Sequence, residues 1–357
     1  MKSEGAFNPS MVTLAREALG LTQGELADRI GVAQGTLSKI EAGVLEPTSE
    51  TLNLLVVELM VPETFFLQRA LLTGPSISEF FHRRRQDVPA KLLRQAHATI
   101  NIILLHLGRL LRSAEIPDCR ISKQDVDAYH SVGEVARAVR AMWGLPSGPI
   151  QNLIDTVEAA GGVVIRCAFG SPRIDAISRW VPGLPPVFFL NSGLPADRER
   201  LSLAHELGHM VLHHSPTDDM ETEANAFAAE FLMPASDIRS DFGEVTLYRL
   251  GVLKPYWRTS MAALLYRATD LKMVSERTAR FLWMQMGKAG YRRREPPELD
   301  IETEEPRLLQ ELFRFHLEDL GYSLEQLADF LCALPSVLSA QHSLAPSSRG
   351  QRLRLLK

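Results

Sequence analysis

The sequence predicts a multidomain chain: an all-α N-terminal unit, then an α+β domain, then a mostly helical C-terminal region. Three observations carry this. Over residues 10–72, apolar positions recur at helical spacing between the turn signals Gly20, Gly31, Gly43 and Pro47. From residue 163 to 190, short β-type runs follow one another and precede two helical segments at 201–213 and 221–232, the order of an α+β layer domain. Downstream of residue 245 the pattern returns to helical spacing.

In chain order, residues 1–74 form the first unit, closed by the junction Thr73-Gly74-Pro75. A helical connector spans 75–121, with the basic run Arg83-Arg84-Arg85 ahead of a long helix at 91–112. The α+β domain covers 122–294. It holds helices at 134–143 and 149–160, the second closed by Gly161-Gly162, and strands beginning at Val163 and around 175–181 and 187–190. The helix at 221–232 stops before Pro234. Residues 292–306 read as a charged, proline-containing linker, 308–331 as a last helical pair within a helical region 295–341, and 342–357 as a disordered tail. Trp257 and Tyr266 are read as core residues, and Arg83-Arg84-Arg85 as a solvated face.

A chain of 357 residues with 45% hydrophobic and 23% charged residues is an ordinary globular composition. The longest apolar stretch, 100–111, is interrupted by His106 and Arg109, and the N-terminus lacks a charged segment leading into an apolar run. Both point to a cytoplasmic protein that makes no use of a membrane. Three cysteines, Cys119, Cys167 and Cys332, lie far apart without CxxC spacing; they read as reduced core residues rather than a disulfide framework or a zinc site. The net charge of -4 argues against a general polyanion coat.

In the first unit, residues 21–43 have the arrangement of a helix-turn-helix. Leu26, Ala27 and Ile30 face inward from one helix, Gly31 permits the turn, and Val32, Leu37 and Ile40 pack the next. Gln34, Thr36, Ser38 and Lys39 are left on or beside the exposed face of a recognition helix, where amides and hydroxyls read base edges and Lys39 reaches guanine or phosphate. Thr22 is placed to cap the first helix, and Gln23 to meet a phosphate. These residues predict a double-stranded DNA operator as partner. The charge balance runs against it, because residues 1–75 carry five Lys/Arg against nine Asp/Glu. A homodimer on two half-sites would double the contacts.

In the α+β domain, His205-Glu206-Leu207-Gly208-His209 is an HExxH sequence in an apolar helical context. Residues four apart share a helix face, so His205 and His209 present imidazoles to one Zn²⁺, with Mn²⁺ or Fe²⁺ as alternatives for the same ligands. Glu206 lies beside them as the base for a water that the metal acidifies to a pKa of roughly 7, the chemistry of peptide hydrolysis. A His₂Glu site needs a third ligand from the following helix, and there Glu221 and Glu223 both flank the apolar stripe; periodicity does not choose between them. His213 and His214 read as partly exposed residues at the helix end. Asp175, Ser178 and Arg179 fit a structural turn and a cleft border equally.

The runs HELGHMVLHH and EANAFAAEFLMP resemble the ImmA/IrrE metallopeptidases, as do Trp143-Gly144-Leu145-Pro146, Asp175-Ala176-Ile177-Ser178 and Asp197-Arg198-Glu199-Arg200. The likeness covers residues 122–294, about half the chain. It implies a zincin-like, gluzincin-type zinc endopeptidase in which Glu223 completes the site. Residues 11–60, with LTQGELA and IEAG, resemble the lambda-repressor-like (XRE) helix-turn-helix family, which implies an internal ion pair between Arg16 and Glu41. The combination resembles XRE-type regulators fused to an ImmA/IrrE domain. It implies DNA binding coupled to cleavage of a repressor protein, in a stress or mobile-element response. The rival expectation is a transcription factor whose zincin-like domain senses a metabolite or metal and cleaves nothing.

Overall fold

The computed structural model describes residues 6–69, 88–341 and 354–355. The run Arg83-Arg84-Arg85 and most of the expected tail lie outside these residues.

The N-terminal unit is all helical. Asn8 caps α1 (Pro9–Ala18), and Thr22 opens α2 (Gln23–Arg29) through a reciprocal capping box with Glu25. Gly31, at φ +68°, makes the left-handed turn into α3 (Gln34–Glu41), and Thr48 caps α4 (Ser49–Leu59). Met11, Leu26, Ala27, Leu37, Leu55 and Phe66 form its core. The ion pair implied by the resemblance is present, with Arg16 Nε donating to Glu41 Oε1 at 2.6 Å.

The long helix α5 (Ala90–Leu110) belongs to two cores at once. Ala98, Ile102 and Leu105 complete the N-terminal core, whereas Leu93, Ile100, Ile103 and Leu107 pack towards the sheet of the next domain. With one apolar stripe in each core, α5 is an element shared by both rather than a bare connector. Past it, β1 (Ala114–Glu115) pairs with residues 354–355, a fragment of the segment expected to be disordered.

Three further strands make a small mixed sheet: β2 (Val163–Cys167), β3 (Ala176–Arg179) and β4 (Val187–Asn191), in the order β2-β4-β3, with β2 and β4 parallel and β3 antiparallel to β4. Alternation sorts its side chains. Ile165, Ile177, Val187 and Phe189 meet α5 and the C-terminal helices, while Val164, Ala176, Phe188 and Leu190 meet the helices of the other face. That other layer contains α6 (Val132–Met142), α7 (Leu153–Ala159), α8 (Ala196–Leu212) and α9 (Met220–Leu232). The helices α10 (Ala235–Phe242), α11 (Leu247–Trp257), α12 (Met261–Asp270) and α13 (Glu276–Lys288) extend it. The C-terminal part consists of α14 (Leu308–Arg314), α15 (Leu324–Leu331) and an unforeseen third helix, α16 (Pro335–Gln341). Among the described residues, no helix is long and apolar enough to cross a membrane.

Three expectations need correction. Residues 292–306 are no loose linker. Glu295 is buried, accepting from Lys254 Nζ at 2.7 Å and from the Met261 amide at 3.1 Å. Glu304 accepts from the Leu153 and Ile154 amides at 2.7 and 3.0 Å and pairs with Arg200. Each buried carboxylate thus meets a cation and helix N-terminal amides, which offset its desolvation. Tyr266 is exposed, stacked obliquely on Trp283 rather than buried, whereas Trp257 is core as expected. Cys119 is exposed, Cys167 half-buried and only Cys332 buried, all three as free thiols.

Candidate functional site

The site is built where α8 and α9 touch. Gly208 allows the approach: a Cβ there would stand 3.2 Å from the Ala224 Cα and carbonyl oxygen and from the Phe227 ring. With the two backbones this close, side chains of the first turn of α9 reach the face of α8 that carries the histidines. His209 Nε2 is 3.0 Å from His205 Nε2. Glu221 faces both, at 3.2 Å from His209 Nε2 and 3.6 Å from His205 Nε2.

Glu223, the third ligand implied by resemblance, is not brought to this pair. It lies two residues further around α9, and its carboxylate meets His213 Nε2 at 2.9 Å. His213 is therefore no exposed helix end. It is buried, with its Nδ1 3.1 Å from His209 Nδ1, while His214 is exposed as expected.

A carboxylate only accepts, so His213 donates from Nε2 to Glu223. Its Nδ1 shares a hydrogen bond with His209 Nδ1, and His205 Nδ1 shares one with Asn225 Oδ1 at 3.0 Å. Burial, with His209 beside it, pushes the His205 pKa below its ordinary value, and burial does the same to His213. The Nε2 atoms of His205 and His209 face each other and the Glu221 carboxylate.

Such a set of acceptors fits a cation. Ligand atoms around a tetrahedral ion at about 2.05 Å stand about 3.3 Å apart. The 3.0 Å between the two Nε2 atoms is close to that value, Glu221 reaches His209 through Oε1 and His205 through Oε2, and one ligand atom from each residue lies within 4.8 Å of the others. Asn225 and His213, the latter held in turn by Glu223, orient the two imidazole rings from behind.

Glu206 is buried beside this group, and Ser178 Oγ of β3 donates to its Oε2 at 2.5 Å. β3 is one of the two outer strands of the sheet, and its register decides which residue meets the glutamate. Behind the site, Lys123 Nζ closes the end of α8 by donating to the carbonyls of His209 and His213; burial pulls its pKa down to about 8.

On the N-terminal unit, Gln34, Ser38 and Lys39 are exposed along α3, and Thr36 is half-buried. Gln23 stands at the start of α2, where its Nε2 donates to Glu41 Oε2 at 2.8 Å.

Residues 157–269 match a family model described as the IrrE N-terminal-like domain, a peptidase family, and they include both helices of the site. Residues 13–66 match a helix-turn-helix family model. The chain carries both domains. It is a fusion of a helix-turn-helix to an IrrE-like domain, as the motifs imply. No curated protein matches the chain significantly.

Within the IrrE-like domain, sequence reasoning missed Asn225 as a partner of the site and left Ser178 open between a structural turn and a cleft border. Ser178 stands in the run Asp175-Ala176-Ile177-Ser178, and a strand residue pointing at a helix across the sheet edge leaves no periodic signal. Asn225 was legible in principle: it follows Glu221 by four residues and so shares its helix face.

Proposed function

We propose that this protein is a cytoplasmic DNA-binding regulator whose IrrE-like domain is a metal-dependent endopeptidase, with His205, His209 and Glu221 as metal ligands and Glu206 as general base. The observation that carries the reading is the convergence of His205, His209 and Glu221, whose ligand atoms lie within 4.8 Å of one another, with the two rings oriented by Asn225 and His213. An intact buried Glu206 beside them supports chemistry over a purely structural site, which has no use for that carboxylate.

A divalent cation, zinc by the donor set, supplies polarisation of a scissile carbonyl and acidification of water. Glu206 accepts the proton of the attacking water and returns it to the leaving amide nitrogen. Ser178 holds one Glu206 oxygen by its hydrogen bond and leaves the other to act. The substrate in this reading is a repressor protein, and the helix-turn-helix brings the peptidase to the operator on which that repressor sits.

The test is elemental analysis and proteolysis on wild type, Glu221→Ala and Glu206→Gln, with repressors encoded nearby as substrates. The reading requires about one metal ion per chain in wild type and in Glu206→Gln, loss of metal in Glu221→Ala, and cleavage by wild type alone. Stoichiometric metal with no cleavage by wild type replaces the peptidase with a sensor.

A further inference from the structure

The N-terminal unit is short of positive charge for a surface that meets DNA, with five Lys/Arg against nine Asp/Glu over residues 1–75. The fold brings cations to it from outside the helix-turn-helix. Lys91 and Arg94 stand in the first turns of α5, and α5 is fastened to α1 by Gln95 Nε2 donating to the Ala18 carbonyl at 3.2 Å and by Ala98 in the N-terminal core. Both cations therefore move with the DNA-facing helices as one body.

Their placement is specific. Lys91 and Arg94 line one polar cleft of about 520 Å³ together with Thr22, Gln23, Gly24 and Gln34. Gln23 and Gln34 are the residues that open α2 and α3, where phosphate and base contacts are expected. Lys91 Nζ lies 3.4 Å from Glu25 and Arg94 Nε 3.7 Å from Glu17, with the two cationic side chains 50% and 57% exposed. Exposed pairs of this kind contribute little in water, so both cations are free to turn to a phosphate at small cost.

We propose that the first turns of α5 belong to the DNA-binding surface, Lys91 and Arg94 contacting backbone phosphates beside those reached by α2 and offsetting Glu17 and Glu25. This rests on the reading that Gln23 and Gln34 face DNA. The contacts are sequence-independent, so they raise affinity for every duplex alike and leave the choice of operator to α3.

The experiment is fluorescence anisotropy of the full chain on a random-sequence duplex of about two helical turns, with salt varied from about 50 to about 200 mM. Each phosphate contact adds about 0.9 to the slope of log affinity against log salt. Lys91→Ala with Arg94→Ala is expected to flatten the slope by about 1.8, so that wild-type affinity falls about twelvefold more than the variant's across this range. The swap Lys91→Arg with Arg94→Lys is expected to keep the wild-type slope. So is Arg280→Ala, which removes an exposed cation of α13. If wild type binds and the double alanine variant keeps its slope, α5 is not part of the surface and the helix-turn-helix reading stands. If wild type binds no duplex, both fall together.

Discussion

Glu221 Oε1 lies 3.2 Å from His209 Nε2, while Glu223, two residues on, turns to His213. One helix thus presents two carboxylates to different histidines, one facing the His205–His209 pair and one meeting the ring of His213 behind it.

Removal of the two glutamates should therefore separate. Glu221→Ala should abolish stoichiometric metal binding, whereas Glu223→Gln should keep the ion and weaken it about 10- to 100-fold, the usual effect of an outer partner. Competition with a chromogenic chelator measures both. A Glu223 variant without metal beside a metal-loaded Glu221 variant would reverse the assignment.

Glu206→Gln preserves shape and hydrogen bonding but cannot take a proton, so cleavage should fall by about 10²- to 10⁴-fold with metal content unchanged. Ser178→Ala should cost less, about tenfold, because the carboxylate is loosened rather than lost. Turnover of an established substrate, normalised to bound metal, is the quantity to compare; equal rates in wild type and Glu206→Gln would remove the base from the mechanism.

The contact of Gly208 with Ala224 leaves no room for a branched side chain. Gly208→Val should destabilise the fold by about 2 kcal/mol or more, since overpacking between two backbones exceeds the ~1 kcal/mol that glycine itself costs a helix. Chemical denaturation reports the loss, and metal affinity should drop with it because α9 carries Glu221.

Stability should also depend on pH through Glu158. This carboxylate on α7 accepts from the Arg307 and Leu308 amides, and burial pushes its pKa up to about 7 from the ordinary 4.5. A raised carboxyl pKa means that the folded state prefers the neutral acid. Its contribution is then fully present below about pH 4.5 and is lost as pH rises to about 7, by about 3 kcal/mol in order of magnitude. Glu158→Gln should remove that share of the slope and gain on wild type as pH rises. Parallel denaturant titrations at acid and neutral pH decide it, and a constant difference between the two proteins would refute the shift.

How much of this was legible follows from the range of each interaction. The helix-turn-helix and the HExxH pair are local patterns. Leu26, Leu37 and Ile40 pack at helical spacing, and His205 and His209 share a face because four residues make about one turn. No tertiary information is needed to pair those histidines or to find Glu206 beside them. The linker at 292–306 misled because its charge and proline content describe an exposed segment, whereas Glu295 and Glu304 are buried against Lys254 and Arg200, over 40 and 100 residues away in sequence.

Local patterns thus give the order of the domains, the pairing of His205 with His209 and the place of Glu206 beside them. That Glu221 rather than Glu223 faces the pair, that Ser178 meets Glu206, and that Lys91 and Arg94 stand beside Gln23 and Gln34 emerges only once the elements are docked. One cause underlies all three. A side chain's direction within its own helix or strand is set by local geometry, but what it meets depends on how that element is rotated and docked. Here the docking is settled by close contacts such as Gly208 on Ala224 and Gln95 on Ala18, between residues distant in the chain.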